Sequence, residues 1–263
     1  PLQRSLHEGA DLGVIGLEPA TRRRNRFNGK AGTVSNRGFE IHVDQSFGNC
    51  PKFIQTRDVT YIAPSGKGQA PETRDAYLSD IDVQRVIATA ATFFIATAYS
   101  DETRAASMGA DMSHRGGKPG FLRMADRTSL IFPDFAGNNH FNTLGNFLVN
   151  PRAGLLFVDF ETGDILQITG TARVITDSPK IASFRGAERI WRFSPTKMVL
   201  RRGGSTLRWT MRENAFSPKS LRTGSWAEVA TELGAGRATH SDGRAPLSAA
   251  ARAAESAPGE IEP

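Results

Sequence analysis

One cysteine, Cys50, is all the thiol that this 263-residue chain contains. That scarcity excludes an intrachain disulfide, a thiolate zinc cluster and an iron–sulfur centre built from this chain alone. The neighbourhood Gly48-Asn49-Cys50-Pro51 leaves two readings of the thiol open: a reactive group, or a small buried residue ahead of a turn. Long apolar runs are missing as well. The stretch Ile87–Tyr99 falls short of the ~20 residues that span a bilayer, and threonines interrupt it. The start PLQRSLHEGADLG has no apolar core after a basic beginning, so no signal peptide is expected and a cytoplasmic location is the default. Histidine is scarce, five in all. His7 and His42 lack a metal-ligand partner pattern, so no metal site is expected. His140 could shuttle protons or cap a helix, but no carboxylate or nucleophile is spaced to make it a triad.

Acidic residues are outnumbered, which leaves a net charge of +6 and a pI near 9.8. The densest basic cluster is Arg22-Arg23-Arg24-Asn25-Arg26. Nucleic-acid binding needs many phosphate contacts on one surface. No helix-turn-helix, zinc-finger spacing or stacked-aromatic motif accompanies the cluster, so nucleic acid is not the expected partner. An anionic cofactor or partner site and a solvated strand face both remain open for it. The hydrophobic share is 39%, with 16 Phe, enough for a real core.

Four regions can be separated. Residues 1–62 are strand-like and turn-rich, with hairpin candidates at Asn28-Gly29 and Asn36-Arg37-Gly38. Residues 63–77 read as a linker from their Pro, Gly and charge. Residues 78–212 hold the main globular pattern, and 213–263 form an extension expected to be disordered from about Gly234. A helix is expected after Ser79, with Ser79 and Asp82 as a capping box. Short strands follow, then a helix over Asn139–Val149, a hairpin over 155–169, a short helix near Pro179 and a strand pair over Arg189–Arg201. Short strands dominate, which favours a mainly β barrel with capping helices.

An internal repeat runs through this pattern. Leu17-Glu18-Pro19-Ala20-Thr21 followed by Phe27-Asn28-Gly29-Lys30-Ala31 resembles Val158–Thr162 followed by Ile168-Thr169-Gly170-Thr171-Ala172. Thr21 and Thr162, like Gly29 and Gly170, stand 141 positions apart. Only about 60 residues precede the linker, fewer than the ~90 that a six-stranded barrel needs. The first copy is therefore incomplete, or its hairpins pack onto the second.

Residues 137–175 are the most informative stretch. Leu155–Phe160 is apolar enough for a strand buried on both faces. Glu161–Asp164 supplies turn chemistry, Ile165–Thr169 returns, and Gly170 fits a bulge. An Asn-rich helix start ahead of this hairpin suits an anionic ligand. Together with Ser113–Phe121 (SHRGGKPGF) and Leu130–Phe135 (LIFPDF), the segment resembles the FMN-binding split β-barrel of the pyridoxamine 5'-phosphate oxidase family. The likeness covers roughly residues 80–200. Some relatives carry two such units in tandem, the first ending in a string similar to Gly48–Gln55 (GNCPKFIQ).

The resemblance implies an FMN cofactor, flavin-mediated hydride or electron transfer, and a homodimer with sites at the subunit interface. A nicotinamide or deazaflavin donor and a separate redox partner are implied in turn. Ser113, His114 and Arg115, followed by Gly116 and Gly117, offer phosphate donors beside close-approaching backbone. Pro133 and Asp134 lie where the family contacts the flavin ring. Asn139, Asn142 and Thr143 form a second polar group; Asn142 and Thr143 fall where oxidases often place an Arg-Lys pair. Gln167 can read a flavin edge or simply face outward. No His matches the substrate-binding one of the oxidases near Trp191–Pro195. A non-catalytic flavin- or heme-binding module, and a basic interaction protein without cofactor, are the alternatives.

Overall fold

The computed structural model describes residues 5–48, 50–63, 71–100, 108–137 and 141–241, the last six of these by backbone alone. Three strands come first: β1 (Asp11–Glu18), β2 (Arg23–Ser35) and β3 (Gly38–Phe47). There follow β4 (Arg57–Tyr61), β5 (Thr73–Asp75), α1 (Ile81–Thr89), β6 (Thr92–Tyr99), β7 (Gly109–Gly116), β8 (Arg123–Asp126) and β9 (Ser129–Phe135). The chain continues through α2 (Asn142–Val149), β10 (Arg152–Val158), β11 (Ile165–Ile175), α3 (Pro179–Ser183), β12 (Ala187–Arg201) and β13 (Leu207–Met211). It closes with α4 (Pro218–Leu221) and α5 (Trp226–Ser241).

An antiparallel sheet in the order β7-β6-β10-β11-β12-β9-β8, with β5 beside β12, makes the main body. Phe93 of β6 packs edge-on against Phe132 of β9 at 5.0 Å between ring centroids, although three strands separate β6 from β9 in the sheet. The sheet therefore curls into a split barrel around a phenylalanine-rich core. Phe93 also stacks on Phe157 and Phe121 at 5.3 and 5.9 Å. Val83, Val86 and Ile87 of α1 are buried in the same core.

The β10–β11 hairpin forms where the sequence places it, with Val158 opposite Ile165. Asp159 Oδ1 accepts from the backbone N–H groups of Glu161 and Thr162, and Gly163 takes the positive φ of +75° that closes the turn. Burial alternates along β10, however: Leu155 and Phe157 are buried while Leu156 and Val158 are half-buried. One face is fully buried, not two, because the strand's other face looks out of the barrel.

Other expectations change for identifiable reasons. Asn28-Gly29 lies inside β2, whereas Asn36-Arg37 does form the turn into β3. Part of the expected linker, Thr73–Asp75, is a strand on β12. Residue Asp80, not Ser79, is the N-cap of α1. Its carboxylate accepts from the Tyr77 N–H and is paired with Arg74, while Asp82 pairs with Arg74 and Arg202. The expected strand pair over 189–201 is one long strand, β12, held on both sides by β11 and β9. The helix α5 continues through Gly234 to Ser241; the rest of the expected disordered tail, 242–263, lies outside the described residues.

The repeat is structural. In the β1–β2 pair Asp11 faces Lys30, and in β10–β11 Arg152 faces Thr171, so both partners are displaced by the same 141 positions. The bulge recurs at the same place: register slips between Asn28 and Gly29 on β2, and between Thr169 and Gly170 on β11. At both glycines a Cβ would run into a carbonyl oxygen of the next strand, of His42 and of Ser194 respectively. The strands β1–β3 are thus a copy of the β10–β12 meander. They form their own sheet, and β1 and β2 pack against β7.

Candidate functional site

The docking of β2 on β7 builds a pocket. Its walls are Arg24 and Arg26 of β2, Ser113–Gly116 of β7, Pro133–Phe135 of β9 and Arg189 of β12. The strap of residues 50–55 closes one side with Cys50, Lys52 and Phe53. Strap and barrel fit through glycine: a Cβ on Gly116 would occupy the place of the Phe53 carbonyl. Gln55 pins the arrangement, donating to Phe53 O (3.1 Å) and Gly117 O (3.3 Å) and accepting from Thr92 Oγ1 (2.7 Å). Phe53 holds a left-handed φ of +64° and stacks on Phe135 at 5.2 Å. That backbone is costly for a bulky residue, and such strain concentrates at ligand sites.

Parity explains the arginine cluster. In β2 alternate side chains point the same way, so Arg24 and Arg26 turn inward while Arg23 and Asn25 stay exposed. Arg22 serves structure, donating to Ile54 O (3.0 Å) and Ala215 O (2.9 Å). Arg26, only 4% exposed, lies over the Phe47 ring at 4.0 Å, faces Ser113 Oγ at 3.4 Å and pairs with Asp111 at 3.4 Å. Asp111 also accepts from Thr143 Oγ1 at 2.9 Å. Across the pocket Asp134 binds Arg115 and, at 3.0 Å, Arg189 Nε; Arg115 lies over Trp191 at 4.5 Å.

Five cationic side chains, Arg24, Arg26, Lys52, Arg115 and Arg189, thus line the pocket against one carboxylate, Asp134. Burial pulls the Arg26 guanidinium below its ordinary pKa; Asp111 opposes this, and Arg24 and Arg115 add to it. Burial, then Arg24 and Arg115, push His114 down to about 3, so it stays neutral at physiological pH. Among the described residues, buried nitrogens remain without a hydrogen-bond partner at Arg26 Nε, Arg115 Nε and His114 Nε2. Each such group costs about 1–3 kcal/mol while unsatisfied. The cavity, about 80 Å³, is well below the ~300 Å³ of a pocket that swallows a drug-sized molecule. It suits the anionic head of a ligand whose remainder lies outside.

The pocket brings together Ser113, His114, Arg115, Gly116, Pro133 and Asp134. Gly117 stands behind it, packed against the Phe121 ring and donating to Ala91 O at 3.0 Å. Thr143 is buried and committed to Asp111. Asn142 lines a separate cavity with Gln45 and Asn146. Asn139 lies outside the described residues. Gln167 is exposed on the outer face of β11, yet its repeat equivalent 141 positions earlier is Arg26. Sequence reasoning missed the inward aim of Arg24 and Arg26, and it missed Lys52, Phe53 and Arg189. The period of two in β2 would have found the two arginines, and the offset applied to Gln167 leads to Arg26.

Fold and site define a split β-barrel with a cation-lined pocket set between a barrel and a partial copy of its meander. Residues 80–202 match the family model described as Pyridoxamine 5'-phosphate oxidase. Among solved structures it is similar to HupZ of Group A Streptococcus, at 15% identity and a TM-score of 0.35, over 44% of this chain and 89% of that one. It is similar to an FAD-binding protein from Mycobacterium smegmatis at 17% identity and a TM-score of 0.33, over 48% and 96%. For an FMN-binding protein from Syntrophomonas wolfei the identity is 10% and the TM-score 0.31, over 44% and 80%. No curated protein matches the chain. Among the described residues no helix is long and apolar enough to cross a membrane.

Proposed function

We propose that this chain binds FMN, with the flavin phosphate held in the pocket between the two repeats. The observation that carries the reading is the surplus of cationic side chains around a cavity of head-group size, with Arg26 Nε and Arg115 Nε buried and unpartnered among the described residues. Arg26, Arg115, the Ser113 hydroxyl and His114 Nε2 would hold the phosphate. The stacked Phe53 and Phe135 rings with Pro133 offer an apolar border for the ring system. Neutral Asn142 and Thr143 would add no charge, so the arginines of β2 and β7 supply it.

Bound flavin would bring hydride or electron transfer. This chain's residues contribute binding and exclusion of water; neutral His114 donates or accepts a hydrogen bond but does not carry a proton at pH 7. A nicotinamide or deazaflavin donor, a separate redox partner and a cytoplasmic location belong to the same reading. The homodimer that the family resemblance implies belongs to the same reading. We infer that residues 1–62 act as the partner of the 78–212 barrel inside one chain, because Arg24 and Arg26 already reach its site.

The test is direct. Purified protein mixed with FMN and desalted should keep a flavin spectrum at about one flavin per chain, and reduction by each nicotinamide donor then reports activity. A colourless protein after desalting overturns the reading.

A further inference from the structure

A second cavity, of about 430 Å³, lies under the turn of the β10–β11 hairpin, between α1 and the β4–β13 ribbon. Its walls include Val86, Phe157, Phe160, Trp209 and Met211, and its charged side chains are Arg57, Arg208, Asp159 and Glu161. Arg57 is 8% exposed, and its guanidinium lies over the Phe160 ring at 4.3 Å. Phe160 in turn meets Trp209 edge-on at 5.2 Å. Among the described residues no carboxylate and no hydrogen-bond acceptor is paired with that guanidinium. Burial alone therefore acts on it, lowering its pKa to about 10 without an opposing charge. It remains a full cation at neutral pH.

Of the other charges around the cavity, the Glu161 carboxylate is solvent-exposed at the turn, and the remaining two are engaged. Asp159 is held by Arg85 and by two backbone N–H groups. Arg208 donates to the carbonyls of Ser205 and Leu207. One buried cation is left with its fork of N–H donors, an aromatic stack at its back and apolar walls around it. A guanidinium in that state matches a carboxylate, and the volume lies within the ~300–1,000 Å³ of small-molecule sites. A single uncommitted cation, with the exposed Glu161 carboxylate at the rim, favours a monoanion over a phosphate dianion.

We propose that this cavity is a binding site for a small aromatic carboxylate, separate from the anion pocket between the repeats. The carboxylate would sit on Arg57, and the ring among Phe157, Phe160 and Trp209. Nothing in the proposal depends on flavin binding.

Benzoate and its neutral isostere benzamide, titrated calorimetrically into the full chain, test it. Benzoate should bind at one site with a Kd at or below about 1 mM, and benzamide at least tenfold more weakly, or about 1.4 kcal/mol. Arg57→Met should lose at least tenfold in benzoate affinity, with a thermal melt checking that it folds. Arg26→Met, in the other pocket, should leave benzoate binding unchanged. If Arg57→Met does not fold, the benzoate-to-benzamide ratio of the unaltered chain decides. No saturable binding, equal affinities for the two probes, or benzoate binding that follows Arg26 instead of Arg57 would each overturn the assignment.

Discussion

Replacing Arg115 by alanine separates a ligand-binding role from a structural one. Arg115 has two duties: one side of its guanidinium binds buried Asp134, and its Nε is buried in the pocket without a partner among the described residues. Removing it deprives Asp134 of one of two cations, while Arg189 remains bonded at 3.0 Å. Stripping a buried carboxylate of its only partner costs about 3–5 kcal/mol; with Arg189 retained, the loss of one charged hydrogen bond at about 1.5–3 kcal/mol is the better guide. At about 2–4 °C per kcal/mol for a chain of this size, Tm should fall by roughly 3–12 °C. A lost charge-assisted contact to phosphate should independently raise the Kd for FMN by about 10- to 150-fold. Adding Asp134→Asn removes the stranded charge and should recover part of the Tm but none of the affinity. Calorimetric melts and flavin fluorescence titrations read the two effects. An unchanged Kd in Arg115→Ala, or affinity that recovers along with Tm in the double variant, would refute the phosphate role.

Acidification should expose His114. Unfolded, it takes up a proton near pH 6.5, whereas folded it does so only at about pH 3. The unfolded state binds more protons between these values, so stability present above pH 6.5 is lost as the pH falls, by about 2 kcal/mol at pH 5. Urea titrations of His114→Asn should lack that component of the pH slope; a slope equal to the parent's contradicts it. Gly29→Ala and Gly170→Ala should each destabilise by about 1–3 kcal/mol, because both place a Cβ against a neighbouring carbonyl. Gly145→Ala in α2, where nothing lies within 4 Å, should instead stabilise by about 0.5–1 kcal/mol in the same melts.

Much of the fold was legible because its signals are local. The turn at Glu161–Asp164 and the bulge at Gly170 depend on neighbouring residues and hold in the structure. The repeat was legible to the residue, since an offset read from two short strings reappears in strand register and bulge. What failed depended on distant partners. Arg74, a tertiary neighbour, engages Asp80 and so moves the start of α1 away from the Ser79 capping box. The outer face of β10 is apolar without being fully buried, which composition alone does not distinguish. In the site, Ser113–Gly116 and Pro133-Asp134 were readable because each comes from one string. Arg24 and Arg26 reach the same pocket from far upstream, and only the docking of β2 on β7 brings them there. That docking also explains why a cluster resembling a basic surface patch is half buried.

The central claim is a phosphate pocket shared by the two repeats, and comparing FMN with riboflavin, which lacks only the phosphate, tests it most directly. Fluorescence titration of the full chain should give FMN an affinity at least about a hundredfold above riboflavin, a gap of about 2.8 kcal/mol. Arg26→Met should close most of that gap by weakening FMN alone. Equal affinities for the two flavins, or a gap untouched by Arg26→Met, would contradict the account.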